Sequence, residues 1–184
     1  MLNRKIDGDI EKHFASSKKA LFLTGARQVG KTYAIRKYAR LHDLHLVEMN
    51  FLLQPESITV LKGAGDIKDL MLRISAYTKE SLVPGKTLIF FDEIQEYADI
   101  MTWVKALVDE GSYFYALSGS LLGVEMKNIR SVPVGYLSEY QMFPLDFEEF
   151  VLSAGLPQNV LDSLRKSWES RIPVDEFVHC SDFI

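Results

Sequence analysis

The chain is poor in cysteine, in long apolar runs and in net positive charge, and each shortage removes a class of protein. Its single cysteine, Cys180, has no internal partner for a disulfide, which fits a reducing compartment. No stretch approaches the ~20 consecutive apolar residues of a membrane-spanning helix. The first residues, Met1 to Asp7, place an acid close behind their basic residues and lack the apolar segment of a secretory signal. The expectation is a cytoplasmic chain with no membrane partner. A formal net charge of −4 supplies no general attraction for nucleic acid or anionic lipid. The cations that cluster early, Lys18, Lys19, Arg36, Lys37 and Arg40, read first as a solvated helix face. Internal repeats and low-complexity tracts are missing as well.

What is present is the material for a folded domain. The length of 184 residues, with 47% apolar and 25% charged side chains, suits one well-formed core. Ile6, Ile10 and Phe14 mark one face of a short first helix. Lys19 to Thr24 is a short apolar run ending at glycine, the pattern of a buried parallel strand. A helix through Tyr33, Ile35, Tyr38 and Leu41 follows, then a strand from His45 to Phe51 and a helix from Asp66 to Lys79. Thr87 to Phe91 is the most apolar strand; a helix through Ile100, Trp103, Val104 and Leu107 comes next. Tyr113 to Leu117 predicts a fourth strand, closed by Ser118-Gly119-Ser120, and Ser131 to Tyr140 a fifth. Phe147 to Leu152 predicts a helix, with further helix from Pro157 to Ile184 and a new segment at Pro173. Strands alternating with helices imply an α/β fold, a parallel sheet covered by helices on both faces. Ligands of such sheets bind beyond the carboxyl ends of the strands.

The residues following the first strand bear this out. Gly25, Ala26, Arg27, Gln28, Val29, Gly30, Lys31 and Thr32 fit G-x-x-x-x-G-K-[ST], the Walker A pattern, at every fixed position. Glycines let the loop wrap so that backbone N–H groups form an anion nest, and the helix behind adds its positive end. Lys31 supplies a mobile charge for β- and γ-phosphates, and the Thr32 hydroxyl stands one residue on, where it can ligate Mg²⁺. Arg27 either reaches phosphate oxygens or points to solvent, and the sequence does not choose.

The third strand ends at Asp92-Glu93, the apolar strand and acidic pair of a Walker B element. A carboxylate at that strand end reaches Mg²⁺, which assigns Asp92 to the metal. Glu93 is the natural general base for water attacking the γ-phosphate, and an acid there favours hydrolysis over transfer to a bound acceptor. Gln95 and Glu96 extend the acidic turn without a role of their own. Ser118 and, more weakly, Ser120 stand where a polar side chain could meet the γ-phosphate or the attacking water; a tight turn explains them almost as well. His42 and His45 read as an exposed loop rather than a metal pair, and Phe143, Phe147 and Phe150 as core.

These elements in this order resemble the AAA-type P-loop ATPases of the additional-strand, catalytic-glutamate class. The nearer likeness is to bacterial and archaeal ATPases reading G-A-R-Q-V-G-K-T, F-F-D-E-I-Q and L-S-G-S, followed by stretches like Val132-Pro-Val-Gly135 and Phe143 to Phe150. The likeness covers roughly Arg4 to Val151. It implies a switch or motor domain that binds and hydrolyses ATP with Mg²⁺, and it implies an arginine finger, for which Arg130 stands in the matching window. Through Arg130 it also implies a homo-oligomer. Such ATPases usually continue with a helical lid and a long further domain, whereas this chain stops at Ile184. The expected division is an ATPase domain over residues 1–155 and a partial lid, or the start of a further region, over 156–184. Two alternatives stay open: a P-loop kinase of small molecules, against which Glu93 argues, and a binding module that uses ATP to set its shape. A GTPase is disfavoured by the lack of an Asn-Lys-x-Asp motif and of an Asp-x-x-Gly turn after a strand.

Overall fold

The computed structural model describes residues 3–120 and 135–172. They fall into two compact units, one made of the described residues between 5 and 144 and one of 145–172 with 3 and 4.

The larger unit is a five-stranded sheet in the order β2-β3-β4-β1-β5. The strands are β1 (Ala20–Gly25), β2 (His45–Asn50), β3 (Thr87–Asp92), β4 (Phe114–Ser120) and β5 (Leu137–Met142), and every pairing is parallel. β1 and β3 are buried along their whole length, as strands covered on both faces must be. Alternation assigns their side chains to two cores. Phe22, Val47, Met49, Ile89, Phe91, Tyr115 and Leu117 belong to the first, with Leu61 of α3 (Glu56–Lys62) and Leu70 and Ile74 of α4 (Ile67–Thr78). Leu21, Leu23, Leu88, Phe90, Ala116 and Met142 belong to the second, with Ile6 and Ile10 of α1 (Lys5–Ser16) and Ala34, Ile35 and Ala39 of α2 (Lys31–Leu41). The expected α/β fold, a parallel sheet with helices on both faces, is the observed one.

Several elements differ from the sequence expectation, each for a local reason. The short helix α3 was not foreseen, because Ile58, Thr59 and Val60 give it a β-branched centre; full burial of Leu61 holds it in place. The helix expected through Ile100 begins as a 3-10 segment, Ile94–Trp103, with Tyr97 out of helical geometry. Buried Ile94, Tyr97 and Ile100 recur every third residue, the period of a 3-10 helix rather than an α-helix. The α-helix proper, α5, spans Val104–Glu110 and ends at Gly111 in the left-handed region. β4 continues through Ser118 to Ser120, because Leu23, Thr24 and Gly25 of β1 pair with that stretch. Of the expected fifth strand, 137–140 lie in β5, Gly135 and Tyr136 form a turn, and 131–134 lie outside the described residues. Phe143 is exposed rather than core.

In the smaller unit, α6 (Phe147–Ser153) opens with a reciprocal capping box between Asp146 and Glu149. α7 (Gln158–Ser170) buries Leu161. The Arg4 guanidinium lies 3.1 Å from the Glu149 carboxylate, with both side chains nearly buried. Phe147 and Phe150, expected in the core, are exposed; the inward place on α6 belongs to Glu149. Pro173 and Cys180 lie outside the described residues.

His13 of α1 is 2% exposed, and its Nε2 lies 2.9 Å from the Lys19 carbonyl. A carbonyl only accepts, so Nε2 carries the proton and Nδ1, which has no hydrogen-bond partner, is bare. Burial pushes the imidazole below its ordinary value, the hydrogen bond to Lys19 O opposes this, and the Lys19 charge adds to the lowering. Below the unfolded value of about 6.5 the unfolded chain therefore binds more protons than the folded one. We predict that this contribution to stability is complete above about pH 6.5 and is lost as pH falls through the lower folded value. Urea unfolding midpoints should drop from pH 7.5 to 5.5, and His13→Gln should flatten that slope; an unchanged slope would remove His13 as its source.

Candidate functional site

The carboxyl ends of β1, β2, β3 and β4 carry Gly25, Asn50, Asp92 and Ser120, and the candidate residues gather there. β1 passes into the phosphate loop at Gly25, whose φ of +147° suits glycine and whose missing Cβ would lie 2.2 Å from the Met142 carbonyl oxygen. Gly25 is therefore required on two grounds. Ala26, Arg27 and Gln28 are exposed, and Val29 and Gly30 are half-buried. Gly30 precedes α2 at φ 100°. Arg27, left open by the sequence, is exposed.

Lys31 and Thr32 open α2, and their side chains face the sheet. Lys31 is 5% exposed. Its Nζ donates to the loop carbonyls of Gly25 at 3.1 Å and Ala26 at 2.8 Å. Burial lowers its pKa from the ordinary lysine value; nearby Glu93 and Asp92 oppose this, and Arg27 adds to it. The Thr32 hydroxyl donates to Asp92 Oδ2 at 2.8 Å. One hydrogen bond therefore joins two motifs that lie sixty residues apart in the sequence.

Asp92 is 1% exposed, yet four donors surround it. Oδ2 accepts from the Thr32 hydroxyl and, at 3.0 Å, from Asn50 Nδ2; Oδ1 accepts from the Glu93 backbone N–H at 3.0 Å and from the Ser118 hydroxyl. Ser118, also fully buried, is thus tied to the acid. Glu93 stands next to it, half-buried, with φ 57° and ψ 49°. This left-handed turn is uncommon for a residue with a Cβ. The Glu93 carboxylate accepts from Gln95 Nε2, and Gln95 Oε1 accepts from the Ser120 N–H at 3.2 Å.

The structure thus brings Lys31, Thr32, Asp92, Glu93 and Ser118 together. Arg130 lies outside the described residues. His42 and His45 do not meet: His42 Nε2 is 2.8 Å from Glu11, and His45 Nε2 is 3.2 Å from Glu80. Arg36, from the early basic group, makes two 2.7 Å hydrogen bonds to Glu48. Asn50 and Gln95 were missed as site residues. The sequence offered for Asn50 only a polar residue at the end of its strand; the pairing of β2 with β3 sets it opposite Asp92 in register.

The AAA_14 family, described as an AAA domain, matches residues 17–151. The chain belongs to this family. The match spans both site motifs and all five strands, so this AAA protein has the parallel sheet of a P-loop nucleotide-binding domain. No curated protein matches the chain. Among the described residues, no helix is long and apolar enough to cross a membrane.

The hydrogen bonds at Asp92 yield a test of the apo protein. An amide in its place has one acceptor oxygen and one N–H₂ group. If the N–H₂ takes the Oδ1 place it faces the Glu93 N–H; in the Oδ2 place it faces Asn50 Nδ2, whose partner oxygen is engaged by the N–H groups of Leu52 and Leu53. We predict that Asp92→Asn loses about 1–3 kcal/mol of stability, the usual cost of a buried donor left unpaired. The measurement is urea unfolding without nucleotide, and unchanged stability would contradict this account of Asp92.

Proposed function

We propose that this AAA domain binds ATP with Mg²⁺ at Gly25–Thr32 and hydrolyses it, serving as a switch or motor domain. The observation that carries the reading is the 2.8 Å hydrogen bond between Thr32 and Asp92, which places the end of the phosphate loop and the acidic pair at one point. A hydroxyl and a carboxylate so close are the hard oxygen donors that Mg²⁺ takes. Thr32 and Asp92 would hold the ion, which when bound neutralises phosphate charge.

The chain's own groups divide the remaining work. The loop from Gly25 to Gly30 and the start of α2 receive the phosphates. Lys31, held ready on the Gly25 and Ala26 carbonyls, exchanges those partners for β- and γ-phosphate oxygens. Glu93 orients a water and takes its proton as the water oxygen bonds to the γ-phosphorus; the bond to the bridging oxygen breaks and ADP leaves. Ser118 and Asn50 keep the Asp92 carboxylate aligned by donating to it. In this reading Ser118 acts through Asp92.

Mg-ATP held only by the native state raises its stability by mass action, about 2.7 kcal/mol at a concentration one hundred times Kd. For a chain of this size we predict a rise in melting temperature of about 5–10 °C. Lys31→Ala should abolish the rise while leaving the apo melting temperature close to wild type. A melting curve indifferent to millimolar Mg-ATP would falsify the binding claim. Glu93→Gln should keep the thermal shift and lose hydrolysis by about 10²-fold or more; hydrolysis at the wild-type rate would make Glu93 structural and leave an ATP-responsive binding module as the better reading.

A further inference from the structure

The turn beyond the acidic pair carries Gln95, half-buried, whose amide bonds two different elements. Its Nε2 donates to Glu93 Oε2, and its Oε1 accepts from the backbone N–H of Ser120, the last residue of β4, at 3.2 Å. A primary amide offers a donor and an acceptor fixed in one plane, so satisfying one partner orients the other. The neighbouring chain makes room for this side chain. A Cβ on Gly119 would lie 3.3 Å from Gln95 Oε1 and 3.2 Å from Ile94 Cγ1, closer than side chains comfortably pack. Gly119 is not in the positive-φ region, so space rather than backbone conformation is what the glycine supplies.

Glu93 needs such a partner. Its left-handed backbone sets the direction in which the side chain leaves, but three torsions remain before the carboxylate. In the described structure the bond from Gln95 fixes its far end.

We propose that Gln95 is a positioning residue: anchored on the end of β4 through Ser120, it holds the Glu93 carboxylate in the orientation from which the base meets the attacking water. This rests on the reading of Glu93 as general base. Gln95 acts through Glu93 and leaves nucleotide affinity to the loop and Asp92. Orientation of a catalytic group is worth much in rate, and a displacement of about 1 Å can cost ~10²-fold. Base orientation then follows the place of Ser120, so the end of β4 and the chemistry are mechanically joined.

The test uses the full chain and measures steady-state ATP hydrolysis beside equilibrium Mg-ATP binding for wild type, Gln95→Glu and Gln95→Met. Gln95→Glu keeps the side-chain length and an oxygen for the Ser120 N–H, but sets an acceptor against Glu93 where the donor was. Gln95→Met keeps the bulk and loses both bonds. Both variants should lower kcat about 10–100-fold while the Kd and KM for Mg-ATP stay within about twofold. If Gln95→Glu turns over at the wild-type rate and only Gln95→Met is slow, Gln95 merely braces Ser120 and the proposal is overturned. If affinity falls in step with kcat, Gln95 shapes the binding site instead, and the proposal is equally overturned. Should Gln95→Glu not fold, a wild-type kcat in Gln95→Met still overturns the proposal. Failure of the underlying reading looks different: wild type then binds Mg-ATP without Lys31-dependent hydrolysis, or Glu93→Gln turns over normally. An inactive Glu93→Gln beside a fully active Gln95→Glu removes the Gln95 assignment alone.

Discussion

A carboxylate withdrawn from water must find donors to replace it, because an ionised group in a low-dielectric interior is otherwise too costly to keep. Asp92 meets that condition with donors from α2, β2, β4 and its own following residue. Each donor lies at or near an end of a different element, so those ends must meet at one point for the buried carboxylate to be satisfied. The carboxyl edge of the sheet is organised around this one group.

The sheet topology makes that gathering possible. β4 lies between β1, which leads into the phosphate loop, and β3, which delivers the acidic pair. Parallel pairing puts the carboxyl ends of all three on the same edge. The two cores on either face leave β1 and β3 no latitude to slide, since a shift of one residue would exchange Phe22 for Leu21 or Phe91 for Phe90 between layers. Apolar packing remote from the site thereby sets the register on which the Asp92 hydrogen bonds depend.

What was legible in the sequence was contiguous. The phosphate loop, the acidic pair and the alternation of apolar strands with helices each occupy a short window in which residue type and spacing suffice. The partners of the acid run from Thr32 to Ser118, and their meeting is a property of the sheet order. Asn50 shows the difference: within its own strand it is an unremarkable polar terminus, and only the pairing of β2 with β3 places it opposite Asp92. Gln95 was visible as a polar neighbour of Glu93, but its second partner, Ser120, is brought to it by tertiary packing. Helix α3 was hidden for a related reason, since its β-branched centre contradicts its conformation and burial of Leu61 decides the outcome. The exposed phenylalanines Phe147 and Phe150 mark the opposite error, in which apolar residue type was taken as sufficient for burial.

The hydrogen bonds of Lys31 to the Gly25 and Ala26 carbonyls have a bearing on exchange. An anion that recruits this ammonium does so by competing with two partners supplied by the chain itself, so its affinity is a net quantity, lower than its contacts alone would give. The same competition operates in reverse: a departing anion leaves behind a lysine whose alternative partners lie in the adjoining loop. An internal competitor of this kind trades tightness of binding for ease of release.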